Sequence, residues 1–318
     1  MIGYVLQRTT VAFVLIWLVA TSIFMVLHII PGDPAELLLS QGGVSPDPAI
    51  VADLREQLGL NKPLPVQYST YITKVLHGDL GVSLQDGYPI VDEVLVRLPR
   101  TLELILAAGL IAMAIGIPFG TLAAVRSGTP YDRIASTLAS IAISVPVFVI
   151  GTLAVLVFAQ ILKLVPAGGF VAFSEDPVKH LTLLVMPAST IAIGLAGILF
   201  RITRNSVLEV LGREFIRVAR AKGLARTRII IAHALRNALV PIVTVLALQL
   251  GMLLGGTVLV EYVFNWPGLS GYLVRAVEAR DYPEVMGIVL VISTIFVFLN
   301  LAVDLLYAVL DPRVGQSR

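Results

Sequence analysis

Few side chains in this sequence are arranged for catalysis or metal binding. The chain has no cysteine, which excludes disulfides, thiolate metal sites and cysteine nucleophiles. Its four histidines have no HxH or HExxH spacing, so no intrinsic metal site is expected. A GxxxxGK(S/T) phosphate-binding loop is also absent, so any use of ATP requires a partner polypeptide.

One short segment has the spacing found around a serine nucleophile. Gly268-Leu-Ser-Gly271 matches the GxSG pattern of intramembrane serine proteases. It lies beside Trp266-Pro267 in a loop between apolar segments, and no histidine follows it in the chain to act as a base. A protease is therefore a poorly supported alternative.

The densest cluster of charge lies in residues 201–236, between two long apolar segments. It holds nine of the 23 Lys and Arg residues and only two acids, Glu209 and Glu214. Apolar residues at three- and four-residue spacing are Val207, Leu208, Leu211, Phe215, Val218 and Ala219. Basic residues on the remaining face are Arg213, Arg217, Arg220 and Lys222. The pattern predicts a helix, a turn at Gly223 and a second helix at the membrane surface.

Three simpler interpretations of the basic segment remain open. It fits a cytoplasmic loop that fixes membrane orientation, a contact with anionic lipid, or a nucleic-acid patch. Nucleic acid is the weakest of the three, because Phe215 is the only aromatic residue available for stacking. We expect no nucleic-acid partner.

The composition requires a lipid bilayer as solvent for most of the chain. Apolar residues make up 57% of it, charged residues only 14%, and the mean hydropathy is +0.90. Six apolar segments reach the ~20 residues that a span needs. They are Thr9–Ile30, Leu104–Val125, Ile134–Leu162, Leu181–Phe200, Ala238–Val260 and Val285–Val303. The first is longer than a secretory signal and lacks a cleavage site, so we interpret it as an uncleaved helix.

The loop charges predict the orientation of these spans. Residues 31–97 carry four basic and nine acidic residues, and residues 261–284 carry two basic and four acidic. The loops after the second and fourth spans are basic instead. Because loops rich in Lys and Arg remain on the cytoplasmic side, both termini are expected in the cytoplasm.

The long first loop is expected to fold as a small external subdomain. Ser45-Pro46-Asp47 precedes a helical pattern that ends before Gly59, and a second helix is predicted over Val66–Leu76. The subdomain either caps the membrane helices or receives a soluble partner. The predicted divisions are a first membrane helix (1–30), this subdomain (31–97), a membrane domain (98–310) containing the basic segment, and a cytoplasmic tail (311–318).

The basic segment resembles the cytoplasmic signature of ABC-importer permeases. The residues that carry the likeness are Arg217-Val-Ala-Arg-Ala-Lys-Gly-Leu224, followed by His233-Ala-Leu-Arg-Asn-Ala-Leu239 and Pro241. Five further segments match the branch that carries dipeptides, oligopeptides, glutathione and nickel. They are Ile30-Pro-Gly-Asp-Pro-Ala35, Leu58-Gly-Leu-Asn-Lys-Pro-Leu64, Gly78-Asp-Leu-Gly-Val-Ser83, Val263-Phe-Asn-Trp-Pro-Gly-Leu269 and Leu310-Asp-Pro-Arg313. Arg217 stands where the wider permease pattern has Glu, as is common in this branch.

The resemblance implies an all-α integral membrane fold of the type I ABC-importer permeases, with six transmembrane helices. It implies a bacterial inner-membrane complex with a second homologous permease, two ATP-binding subunits that hold ATP and Mg²⁺, and an extracytoplasmic solute-binding protein. This chain would be a translocation subunit without catalytic residues or a cofactor of its own. The residues implied to couple it to the ATPase are Glu214, Phe215, Arg217, Ala219, Ala221, Lys222 and Gly223.

The transported solute is not identified by the sequence. Dipeptides or oligopeptides are the first expectation, and glutathione or a nickel chelate is the alternative. Polar neutral residues in the spans are candidates to line the pathway: Ser140, Ser144, Gln160, Thr244, Gln249 and Asn300.

Two other transport classes fit this sequence less well. A proton- or sodium-driven carrier usually places acids or histidines in mid-membrane, and a channel does not need an amphipathic partner-binding loop.

Overall fold

The structure is a computed structural model that describes residues 2–29, 47–57 and 59–310. Within these ranges the regular structure is helical, joined by turns and irregular segments, with one isolated antiparallel bridge between Val82 and Pro89. The segment Ile30–Ala35, most of Leu310–Arg313, the Ser45-Pro46 pair and the predicted tail lie outside the described residues. The chain forms two compact units. Unit 1 contains residues 99–271 with both chain ends, and unit 2 contains residues 6–98 and 272–298.

Twelve helices occur in the described part of the chain. They are α1 (Ile2–Ile29), α2 (Pro48–Gln57), α3 (Leu64–Leu76), α4 (Ile90–Val125), α5 (Pro130–Ser144), α6 (Val147–Ile161), α7 (Pro177–Leu211), α8 (Glu214–Ala221), α9 (Arg226–Gly256), α10 (Val258–Val263), α11 (Leu269–Glu278) and α12 (Tyr282–Leu310). Five of them, α1, α4, α7, α9 and α12, are long and apolar enough to cross a membrane, and counting the bent pair α5 and α6 as one span brings the number to six.

The third predicted span, Ile134–Leu162, is broken near its middle, at Pro146. Helices α5 and α6 meet at an angle of 97°. Pro146 has no N–H to bond the Ala142 carbonyl, and its ring forces Val145 into an extended conformation (φ −82°, ψ 126°). The prolines of α4, α7 and α9 (Pro118, Pro187 and Pro241) instead lie inside continuous helices.

The basic segment also differs from its prediction. The helical pattern before Gly223 is divided, because α7 ends at Leu211 and α8 begins at Glu214, with Gly212 and Arg213 between them. The following helix begins at Arg226. Residues 201–211 therefore extend a membrane-crossing helix, and α8 is the short separate helix of the segment.

Helix α7 is the centre of unit 1, and the other helices of the unit pack around it. Close approach depends on small residues. A Cβ atom added to Gly116 would lie 2.9 Å from the Ala196 carbonyl oxygen, and one added to Gly120 would lie 2.7 Å from that of Phe200. Backbone therefore packs directly on backbone between α4 and α7, as expected where lipid provides no hydrophobic driving force.

Unit 2 is held together by polar contacts between distant parts of the sequence. The buried Asp281 carboxylate accepts hydrogen bonds from the Ser83 hydroxyl at 2.7 Å and from the Leu84 amide at 2.8 Å. The hydroxyls of Thr21 on α1 and Tyr68 on α3 lie 2.7 Å apart. Helix α3 is the predicted Val66–Leu76 helix, and it begins two residues earlier, at Leu64.

Candidate functional site

Helix α8 is fixed to its own chain by one face and exposes apolar groups on another. Ile216 and Ala219 are buried in the core of unit 1, together with Ile229 from α9. Phe215 is 41% exposed and Val218 is 53% exposed. A short helix that is anchored inwardly and still presents two large apolar side chains has a surface suited to a protein partner.

Gly223 ends α8 in a left-handed conformation. Its φ of +74° is readily adopted only by glycine among the common residues. The Leu224 amide donates to the Ala219 carbonyl at 3.3 Å, and the Gly223 amide donates to the Arg220 carbonyl at 3.0 Å. These two bonds form a Schellman motif, which fixes the direction of the chain as it leaves α8.

The predicted coupling residues divide into two groups. Ala219 is buried and contacts the chain's own core, so its side chain does not face outward. The other members are exposed: Glu214, Phe215, Arg217, Ala221, Lys222 and Gly223. The outer face of α8 therefore combines basic and apolar groups.

An ion pair that sequence analysis missed lies between α5 and α7. The Arg204 guanidinium donates to both carboxylate oxygens of Asp132, from Nε at 2.5 Å and from an Nη at 2.8 Å. The Gly128 amide donates to the same carboxylate at 2.9 Å. Such a bidentate pair fixes orientation as well as distance. The pairing could not be read from the sequence, because the two residues are 72 positions apart.

A cavity of about 320 Å³ lies at the bend between α5 and α6. Fourteen of its fifteen lining residues carry no side-chain hydrogen-bonding group, and Gln249 is the exception. The apolar lining comes from α5, α6, α7, α9 and α10: Ala142, Ile143, Val145, Pro146, Val147, Ile150, Ile191, Gly194, Leu195, Ile198, Met252, Leu253, Gly256 and Val260. This volume is within the usual range for a small-molecule site.

Of the predicted pathway residues, only Gln249 lines this cavity. The hydroxyls of Ser140, Ser144 and Thr244 donate to carbonyls of their own helices at 2.8–2.9 Å. Gln160 is exposed on the π-helical part of α6, and Asn300 is half-buried on α12. The structure therefore does not bring the six predicted residues together.

The GxSG segment surrounds a buried carboxylate. Glu261 accepts hydrogen bonds from the Thr101 hydroxyl at 2.8 Å and the Gly271 amide at 2.7 Å. Burial raises its pKa, and these bonds oppose part of the rise. The Ser270 hydroxyl is buried and donates to the Leu254 carbonyl at 3.0 Å. Ser270 is thus engaged in structure, and among the described residues no histidine is in contact with it.

His180 is the one buried histidine of the described chain that has two close oxygen neighbours. Its Nδ1 lies 2.7 Å from the Val171 carbonyl oxygen, and its Nε2 lies 2.7 Å from Glu103 Oε1. The described residues contain no group of three potential metal-binding side chains. His180 therefore connects the segment before α7 to α4.

Two family models match this chain along most of its length. Residues 116–316 match the "Binding-protein-dependent transport system inner membrane component" model, and residues 1–105 match the corresponding N-terminal model. The dipeptide transport system permease protein DppB of Escherichia coli K12 is 41% identical, with 93% of each chain covered. The glutathione transport system permease protein GsiC of Salmonella choleraesuis SC-B67 is 40% identical, with 99% of each covered.

Solved structures show a similar fold. A chain of the MetNI methionine ABC transporter, in an inward-facing conformation, matches with a TM-score of 0.54 and 21% identity. The match covers 69% of this chain and 96% of the other. An amino acid ABC transporter matches with a TM-score of 0.50 and 17% identity, covering 70% of this chain and 94% of that one.

Proposed function

The chain belongs to the family of inner-membrane components of binding-protein-dependent transport systems, and on that premise we propose that it forms half of the translocation pathway of an ATP-driven importer of dipeptides and oligopeptides. The dipeptide permeases at about 41% identity support this solute class. Glutathione is the second candidate, favoured by the glutathione permeases at 40% identity, and a nickel chelate is the third.

Helix α8 is the single observation that carries the proposal. It lies between two membrane-crossing helices and is anchored to α9 through Ile216, while Phe215 and Val218 remain exposed. These apolar groups enter a groove on a cytoplasmic ATPase, and the exposed arginines pair with acids at its rim. ATP and Mg²⁺ are bound by that partner.

The orientation follows from the charge distribution. Lys and Arg concentrate around α8, whereas the segments 31–97 and 261–284 are acidic. Helix α8 and both termini therefore face the cytoplasm, and the segment containing α2 and α3 faces outward, toward a solute-binding protein. A second homologous permease completes the pathway, and two ATPase subunits complete the complex.

Transmission of force requires a rigid connection from α8 to the membrane helices. Only Gly212 and Arg213 separate α8 from α7, and the Schellman motif at Gly223 fixes its other end. The Asp132–Arg204 pair joins the last turns of α7 to the start of α5. Closure of the ATPase therefore moves α7, α9 and α5 together, and this movement changes access to the cavity at the α5–α6 bend.

Substitution of one exposed apolar residue tests this role of α8. Val218→Asp places a charge where an apolar contact is proposed, and it should reduce both ATPase association and peptide-driven ATP hydrolysis at least tenfold. Val277→Asp on α11 is the matched control, because Val277 is 56% exposed and Val218 is 53% exposed. The measurements are co-purification and ATP hydrolysis in proteoliposomes. Normal hydrolysis in Val218→Asp would refute the proposal.

A further inference from the structure

The cavity at the α5–α6 bend contains very few polar groups, and their chemistry limits what they can recognise. Gln249 on α9 is half-buried, and of the described lining residues it alone has a side chain that both donates and accepts hydrogen bonds. Among the residues that the structure describes, no charged side chain lines the cavity. A solute in this cavity is therefore contacted by apolar walls and by one neutral amide.

The bend adds a backbone acceptor to this cavity. Ala142 lines it, and its carbonyl has lost the usual helical donor, because residue 146, four positions later, is a proline. The carbonyl is also uncovered on the side of α7. A Cβ atom added to Gly194, which lines the same cavity, would lie 3.7 Å from the Ala142 oxygen. Gly194 thus leaves this oxygen accessible.

A peptide bond is complementary to this pair of groups. Its N–H can donate to the Gln249 side-chain oxygen and to the Ala142 carbonyl oxygen, whereas its C=O points to the opposite side of the trans peptide plane. The surrounding apolar walls accept side chains of different shape. Neutral groups in a cavity without charges hold the solute weakly, and weak binding is compatible with release during transport.

We propose that Gln249 and the Ala142 carbonyl form a contact site for the peptide bond of the solute during its passage through this subunit. The inference rests on the proposed peptide-importer function and adds which chemical group of the peptide is read. It predicts that peptides are distinguished by their backbone N–H and not by their side chains at this point of the pathway.

Two dipeptides that differ only at the peptide nitrogen test the proposal. Glycyl-glycine has a peptide N–H, whereas glycyl-sarcosine has a methyl group in its place. Uptake of both is measured in proteoliposomes that contain the complete complex with a saturating amount of the unaltered binding protein. The same binding protein captures the dipeptides in every variant. A change in the uptake ratio between variants therefore reflects recognition within the pathway.

The ratio of glycyl-glycine to glycyl-sarcosine uptake should fall about fivefold in Gln249→Met, as expected for one lost hydrogen bond. Methionine keeps the unbranched shape of glutamine. Gly194→Ala should reduce the ratio in the same direction by covering the Ala142 oxygen at an ordinary contact distance. Gln7→Met, an identical change at an exposed position of α1, should leave the ratio unaltered.

An unchanged ratio in Gln249→Met would overturn the proposal, and so would equal slowing of both dipeptides, which indicates a structural role. Equal uptake of glycyl-glycine and glycyl-sarcosine by the wild-type complex would overturn it as well. Wild-type complex that takes up no peptide at all while it hydrolyses ATP would refute the proposed function itself, a result distinguishable from the other outcomes.

Discussion

At the residue scale, buried polar side chains hold distant segments of unit 1 together. Glu261 on α10 accepts hydrogen bonds from Thr101 on α4 and from Gly271 at the start of α11. Gly268 provides the necessary space, since a Cβ atom there would overlap the carboxylate. A buried carboxylate is costly unless its oxygens are bonded, so the segment 264–271 must keep this conformation for Glu261 to remain buried.

The raised pKa of Glu261 gives this contribution a pH dependence. Desolvation by burial is its main cause. The folded chain binds a proton at pH values where an exposed carboxyl, with a pKa of about 4.3, is ionised. Because the folded state then binds more protons than the unfolded state, the stabilisation is complete below about pH 4 and falls as the pH rises toward the folded pKa.

Glu261→Gln should remove this pH dependence, because an amide does not titrate in this range. We expect the fall in Tm between about pH 5 and about pH 8 to be smaller in this variant than in the wild type. The measurement is thermal denaturation of the detergent-purified protein. Glu278→Gln, the same change at an exposed position of α11, should behave as the wild type. An equal fall in Tm for Glu261→Gln and wild type would contradict the assignment.

At the element scale, α8 depends on how the chain enters and leaves it. Gly212 precedes it with an ordinary φ of −81°, whereas Gly223 follows it with a φ of +74°. Only the second position requires glycine for conformational reasons. The inward residue Ile216 then anchors the helix, and the Schellman motif determines its angle to α9.

Gly223→Ala should destabilise the end of α8 by about 1 kcal/mol, the cost of a left-handed alanine. No atom lies within 4 Å of the added Cβ, so a steric clash does not contribute. We expect less peptide transported per ATP hydrolysed, because α8 transmits movement less rigidly. Gly212→Ala, with its negative φ, is the matched control. Equal coupling ratios in the two variants would argue against a role for the turn.

At the scale of the whole molecule, the proposed orientation places α8 and α11 on opposite sides of the membrane. The chain has no cysteine, so a single introduced thiol gives an unambiguous signal. Arg217→Cys should react with a membrane-impermeant thiol reagent only after the cells are permeabilised. Val277→Cys should react in intact cells. Labelling of position 217 in intact cells would reverse the proposed topology.

The sequence was sufficient for features that depend on composition along the chain. The apolar segments predicted the membrane-crossing helices, because length and hydropathy alone decide which segments the bilayer can dissolve. The helix and Gly223 turn were also predictable, since glycine marks the left-handed position that ends a helix. The family likeness came from short local motifs, such as Val263–Leu269, which the family models and relatives confirmed.

Tertiary structure decided the features that depend on contacts between distant residues. Pro146 was visible in the sequence, but the 97° angle between α5 and α6 depends on packing against α7 as well as on the missing amide. The partners of Asp132 and Glu261 were not predictable, because their sequence separations carry no periodic signal. The sequence offered Gln249 as one of six polar candidates, and only the folded chain shows that it alone of the six lines the cavity. Local patterns specify helices, whereas only the folded chain determines which of their side chains meet.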